Sequence, residues 1–289
     1  MREGFIAVEE GVRLFFCEAG QGSDVVLLPN GVHLLDDFRP FADGRRLVFY
    51  DVRHRGRSER VEDESKLARG ILNDADDIEA VRRFCGAERI DLIGHSYIGS
   101  ALVLYAMAHP DRVRRIVLLG PMPPDPATQY PPHLTNHDDV LREALASIAA
   151  LQKERSSLEP RTLCERFWKI VNAIYVADPA DAWKIKWSFC EQPNERNLMK
   201  YWTGQILPSI QKLRFTREQL AAVTAAVLIV HGRLDRSSPY GGGCDWASLL
   251  PNARLLTVER AAHVPWIEAP DLVFGSIETF LATCCSTAG

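Results

Sequence analysis

Ile90-Asp91-Leu92-Ile93-Gly94-His95-Ser96-Tyr97-Ile98-Gly99 begins as an apolar run and changes character at Gly94, because the helix-like stretch Ser100-Ala101-Leu102-Val103-Leu104-Tyr105 follows at once. The spacing predicts a buried strand turning directly into a helix, with Ser96 at the corner. A serine on so tight a turn has its hydroxyl pushed outward, and the next residue's amide points the same way, as a nucleophile requires. The plain alternative is a serine that caps a helix. The motif is also imperfect. A small residue belongs two places after the serine, and this chain has Ile98 there, with Gly99 one place late.

Two further segments bear on that choice. Ala226-Val227-Leu228-Ile229-Val230-His231-Gly232-Arg233-Leu234-Asp235 is a continuous apolar strand ending in Gly-x-x-Asp, and Ala253-Arg254-Leu255-Leu256-Thr257-Val258 is a strand with His263 in the loop after it. Taken singly, Asp235 could cap a turn and His263 could be an ordinary loop histidine. Together with Ser96 they give the chain order serine, aspartate, histidine, each just past the carboxyl end of a predicted strand. That order differs from those of the chymotrypsin-like and subtilisin-like enzymes. It selects Ser96, Asp235 and His263 as a candidate catalytic triad.

On these residues the chain resembles the α/β-hydrolase superfamily, and the resemblance covers nearly all of it. Leu27-Leu28-Pro29-Asn30-Gly31-Val32 is similar to the family's loop after the third strand, with Asn30 in place of the usual histidine. Phe49-Tyr50-Asp51-Val52-Arg53-His54-Arg55-Gly56-Arg57-Ser58 resembles its Asp-x-Arg-x-x-Gly-x-Ser segment, and His263-Val264-Pro265-Trp266-Ile267-Glu268-Ala269-Pro270 completes the set. Within the superfamily the chain looks closest to the branch of prolyl aminopeptidases and small-molecule esterases with a helical cap. The resemblance implies a mostly parallel, eight-stranded α/β sheet with helices on both faces and an inserted helical cap. It also implies an oxyanion hole from the amides of Val32 and Tyr97, and no cofactor. A serine at position 96 argues against the dehalogenase and epoxide-hydrolase readings, whose members carry aspartate there.

The rest of the chain agrees with that plan. Its 289 residues are 46% hydrophobic, enough for a sizeable core, and no apolar run reaches the length of a membrane span. The net charge of −4, with acids and bases interspersed, gives no basic stripe for nucleic acid. Met1-Arg2-Glu3-Gly4-Phe5 has no apolar segment of signal-peptide type. Seven cysteines, including the neighbours Cys284 and Cys285, lack metal-type spacing. They read most simply as reduced thiols of a cytoplasmic protein with no metal site. The expected partner is a small-molecule substrate, with neither nucleic acid nor membrane, and a homodimer is left open.

Along the chain, residues 5–8 and 12–16 read as a hairpin, residues 25–28 and 47–50 as buried strands, and residues 74–84 as a helix. Residues 113–119 read as a further strand. After Gly120 the prolines of residues 121–132 break the pattern. Helical stretches are predicted over 140–153, 161–176, 179–190 and 194–207, the last stopped by Pro208. The domain reading is therefore a core of residues 1–120 and 222–289 with a helical cap at 121–221. The cap's aromatic residues, Trp187 among them, can be its core or a pocket wall. Glu191 and Glu195 are candidate substrate contacts, since cap carboxylates of prolyl aminopeptidase-like proteins bind the substrate's free amine. The competing and preferred reading is a helix start at Pro193 or Asn194 with Glu195 in the first turn. The peptidase family's His-Gly-Gly-Pro-Gly loop is absent. A serine hydrolase of small or medium carboxylic esters is expected, with a prolyl-type aminopeptidase and a non-hydrolytic ligand receptor as alternatives.

Overall fold

The computed structural model describes residues 2–31, 33–192, 194 and 198–282. Eight strands form one sheet: β1 (Arg2–Glu9), β2 (Val12–Ala19), β3 (Val25–Pro29), β4 (Arg46–Tyr50), β5 (Ile90–His95), β6 (Val113–Leu119), β7 (Ala226–Gly232) and β8 (Ala253–Val258). Their order is β1-β2-β4-β3-β5-β6-β7-β8, and only β2 runs antiparallel to its neighbours. This is the mostly parallel eight-stranded α/β sheet that the sequence pointed to.

The parallel strands are short unbroken apolar runs because both faces of the sheet are covered. Alternation decides which side chain goes where. Leu27, Ile116, Leu118, Val227 and Ile229 join one buried cluster, while Val26, Leu28, Val117, Leu119, Leu228 and Val230 join the other. Helices α1 (Ile71–Phe84) and α2 (Ile98–Ala108) contribute Ile78, Val81, Leu102 and Val103 to the first cluster. Between β6 and β7, α3 (Asp139–Glu154) and α4 (Pro160–Tyr175) are the two long helices. Past β7, α5 (Tyr240–Leu249) crosses to β8, and α6 (Pro270–Ala282) supplies Val273, Ile277 and Phe280 to the second cluster. No helix among the described residues is long and apolar enough to cross a membrane.

The chain reverses its direction of travel across the sheet at β3, which lies between β4 and β5. In open α/β sheets such a switch point leaves a crevice beyond the strands' carboxyl ends, where ligands bind. Ser96 follows β5 and Asn30 follows β3, so both stand at that crevice.

Three expectations need correction. The helix expected over 179–190 is instead a 3₁₀ stretch, Pro179–Lys184, then extended chain and a short turn, Phe189–Glu191. Tertiary contacts draw this segment out: Trp187 reaches Asp37, and Phe189 stacks on Trp168 at 4.0 Å. Pro208 does not stop the last helical stretch. A π-turn at Trp202–Ile206 leads into Leu207–Ile210, and the wider i→i+5 turn relieves the clash and lost donor that proline brings to a regular helix. Finally, Cys164 on α4 and Cys190 form a disulfide with Cα atoms 5.7 Å apart, so these two thiols are not reduced. Spacing in sequence gave no hint of it, because the packing of α4 against the 185–191 segment makes the pair. Cys284 and Cys285 lie outside the described residues.

Candidate active site

Three non-glycine residues among those described have left-handed backbone: Asn30 (φ 60°), His54 (φ 58°) and Ser96 (φ 58°). They lie in the loops past the carboxyl ends of β3, β4 and β5, three neighbouring strands in the middle of the sheet. Such strain persists only where the surroundings enforce it. At Ser96 the enforcement is visible. Its amide donates to the Leu119 carbonyl at 2.9 Å, and its own carbonyl accepts from Gly99 at 3.1 Å as α2 begins. Tyr97, next in line, occupies the N-terminal flank of α2, where amides point outward.

The departure at Ile98 is absorbed inside the turn. Ile98 is fully buried, and a Cβ added to Gly94 would lie 2.9 Å from Ile98 Cγ2 and 2.7 Å from Leu102 Cδ1. The missing side chain at 94 is therefore what makes room for the isoleucine. Gly120, with φ 49°, makes similar room beyond β6, since a Cβ there would lie 3.1 Å from His263 Nδ1 and 3.3 Å from Asp235 Oδ2.

Asp235 and His263 meet in the loops after β7 and β8. His263 Nδ1 stands 2.8 Å from Asp235 Oδ2, and both side chains are buried. The other carboxylate oxygen, Oδ1, accepts the amides of Ser237 and Ser238, each at 2.8 Å. Burial works against the charge on Asp235, but His263 and His231 outweigh it and hold the carboxyl below its ordinary range. His263 Nε2 is buried without a hydrogen-bond partner among the described residues.

The histidine loop is clamped through its backbone. The His263 amide donates to the Tyr175 carbonyl at 2.9 Å, and the His263 carbonyl lies 3.1 Å from His95 Nε2. A carbonyl only accepts, so His95 carries its proton on Nε2 and accepts through Nδ1 from His33 Nε2 at 3.3 Å. Both imidazoles are neutral. Burial, then the charges of Arg55 and His263, push His33 down to about 3, and burial likewise takes His95 well below its usual value. Glu268 adds a second clamp by accepting from the amides of Ala262 and Ala177. Arg236 reaches Asp138 and the carbonyls of Val176 and Ala177, tying the Asp235 loop to the segment between β6 and β7.

Ser96 opens onto a cavity of about 330 Å³. On the sheet side its walls include Asn30, His33, Arg55, His95 and Tyr97; from the inserted segment come Phe167, Trp168, Tyr175, Trp187, Phe189 and Trp202. Trp187 is thus a wall residue, its indole held by Asp37, which also binds the Trp266 indole. Glu191 is exposed and is not part of the wall. Val32, Pro193 and Glu195 lie outside the described residues. His54 borders a separate, polar cavity with Arg60, Lys200 and Tyr201. No cluster of metal-binding side chains is present among the described residues.

Sequence reading passed over His33, and it cited Arg55 and His231 only within motifs. His231 carried a usable signal, since it is the one polar side chain in an otherwise apolar strand. Arg55 sits in the Asp51–Ser58 motif, whose Ser58 and Asp51 bond each other and the Phe15 and Arg57 amides to shape the loop that presents it.

The chain is similar to known proteins over nearly its whole length. Over 94% of its length the chain is 25% identical to the 2-hydroxymuconate semialdehyde hydrolase of Pseudomonas putida, covering 92% of that protein. It is 24% identical to the proline iminopeptidase of Heyndrickxia coagulans over 96% of this chain and 98% of the relative. An esterase from Exiguobacterium antarcticum superposes with a TM-score of 0.71 at 17% identity, covering 98% of this chain and 100% of that one. Residues 28–270 match the model of the alpha/beta hydrolase fold, and the chain belongs to the alpha/beta hydrolase family.

Proposed function

We propose that this protein is a serine hydrolase that cleaves a small-to-medium carboxylic ester through an acyl-enzyme on Ser96. The observation that carries this reading is the buried 2.8 Å His263–Asp235 pair in the loops after β7 and β8, at the same carboxyl end of the sheet as a left-handed Ser96 that opens onto an aromatic cavity. Ser96 Oγ attacks the ester carbonyl while His263 Nε2 takes its proton and later returns it to the leaving alcohol. Asp235 holds the imidazole in the tautomer that leaves Nε2 free to accept, and stabilises the imidazolium that forms. The tetrahedral oxyanion is held by the Tyr97 amide, with the Val32 amide as the second donor. Residues 121–221 act as the cap, supplying most of the apolar wall.

Size and polarity favour an ester. A cavity of about 330 Å³ is at the small end for ligand sites. Its described wall has no carboxylate to receive a substrate amine, and Arg55 is its one permanently charged side chain. The aminopeptidase alternative draws on the likeness to a proline iminopeptidase, and among the two candidate carboxylates it would fall to Glu195.

The test is intact-mass analysis after fluorophosphonate treatment, with p-nitrophenyl ester and proline-anilide assays alongside. One adduct on the wild type, none on Ser96→Ala and turnover of the ester alone is the expected result. An adduct that persists on Ser96→Ala would refute the nucleophile. Turnover of the anilide alone would replace the esterase with the peptidase.

A further inference from the structure

Asp235 is shared by two imidazoles, and only one of them belongs to the triad. His231 lies on β7 four residues before Asp235 and is completely buried. Its Nε2 is 3.3 Å from Asp235 Oδ2 and 3.1 Å from the Ser238 carbonyl. Because a carbonyl oxygen can only accept, the proton of His231 resides on Nε2, where it faces both oxygens at once. The opposite nitrogen, Nδ1, is pressed against α5. A Cβ on Gly243 would lie 2.5 Å from it, so no side chain larger than glycine's fits there.

We propose that His231 is a positioning residue for catalysis, donating from Nε2 to Asp235 and thereby setting how strongly the aspartate holds His263. This rests on the triad reading of Ser96, Asp235 and His263. The Ser237 and Ser238 amides bond Oδ1 and His263 bonds Oδ2, while the His231 N–H, bonded to the Ser238 carbonyl at 3.1 Å, also stands 3.3 Å from Oδ2. Together these groups hold the carboxylate's orientation about its Cβ–Cγ bond. They also spread its charge. The remaining groups facing His231 are the Tyr240 ring, 5.8 Å away, whose hydroxyl meets Thr257 Oγ1, and Arg233, which lies over Tyr240.

Two amide substitutions separate positioning from packing. Glutamine places an N–H where the imidazole has Nε2; asparagine is one methylene shorter and places it where the imidazole has Nδ1. Both bury a neutral amide of similar polarity. His231→Gln is expected to keep kcat within a few-fold of wild type. His231→Asn is expected to lose about 10- to 100-fold in kcat, the range for one hydrogen bond to a charged group, with KM little changed. Melting temperatures are measured on both. Equal loss in the two variants, or a wild-type kcat in His231→Asn, would overturn the proposal. Failure of the triad reading itself shows separately, as an adduct or turnover that survives Ser96→Ala.

Discussion

Substituting Gly94 with alanine tests the turn that carries the nucleophile. The new Cβ would sit 2.7 Å from Leu102 Cδ1 and 2.9 Å from Ile98 Cγ2, where ordinary contact begins at 3.4 Å. The two neighbours can respond differently. Leu102 Cδ1 is the end of a flexible side chain and can rotate away. Ile98 Cγ2 is attached at Cβ, and a β-branched residue in a helix has one good rotamer, so relief requires α2 to shift bodily. Overpacking of this kind costs about 1–3 kcal/mol. Displacement of the elbow by as little as 1 Å would cost about 100-fold in rate. Ile98→Ala alone should cost about 2–5 kcal/mol, as a buried isoleucine leaves a cavity. In the double variant the clash has no partner, so the combined loss should fall short of the sum by about 1–2 kcal/mol. Urea unfolding of the four proteins measures this, with ester kinetics on the same samples. Additive losses would mean that Gly94 and Ile98 do not meet, and that the isoleucine is accommodated in some other way.

Three further outcomes are expected. His33 is neutral in the fold and pushed down to about 3, against an ordinary value of 6.5, so its contribution is complete above pH 6.5 and is lost as pH falls toward 3. Relative to His33→Gln, wild-type stability should therefore decline by about 1.4 kcal/mol per pH unit between pH 6 and 4, and parallel urea midpoints would contradict the assignment. Replacing Cys164 and Cys190 with serine should cost about 3.5 kcal/mol, the chain-entropy value for a separation of 26 residues. A reductant should lower the melting temperature of the wild type but not of that variant; an unmoved wild type would show the bridge to be dispensable. Asp235→Asn should preserve the fold and lower kcat by about 10⁴-fold, because the amide favours the wrong tautomer of His263, and an active variant would remove the aspartate from the mechanism.

All eight strands were legible in the chain because the patterns that mark them are local: short apolar runs in the inner strands and a hairpin around Glu10-Gly11 at the first edge. The elbow at Ser96 was legible for the same reason, since strand, turn and helix occupy consecutive residues. So was the order of Ser96, Asp235 and His263, each read from the strand it follows. The segment from 179 to 191 was not. Its helical spacing was overridden by the Trp187–Asp37 hydrogen bond, the Trp168–Phe189 stack and a bridge between cysteines 26 residues apart. No local pattern encodes any of these.

The same division runs through the site. Sequence alone determined which residue types stand at the strand ends, because backbone geometry and hydrophobic alternation act over a few neighbours. Only the tertiary structure decided that His33 backs His95, that His231 shares Asp235, and that Trp187 is wall while Glu191 faces solvent. Those outcomes depend on contacts between segments far apart in the chain, which form only when the sheet and the inserted helices close on one another.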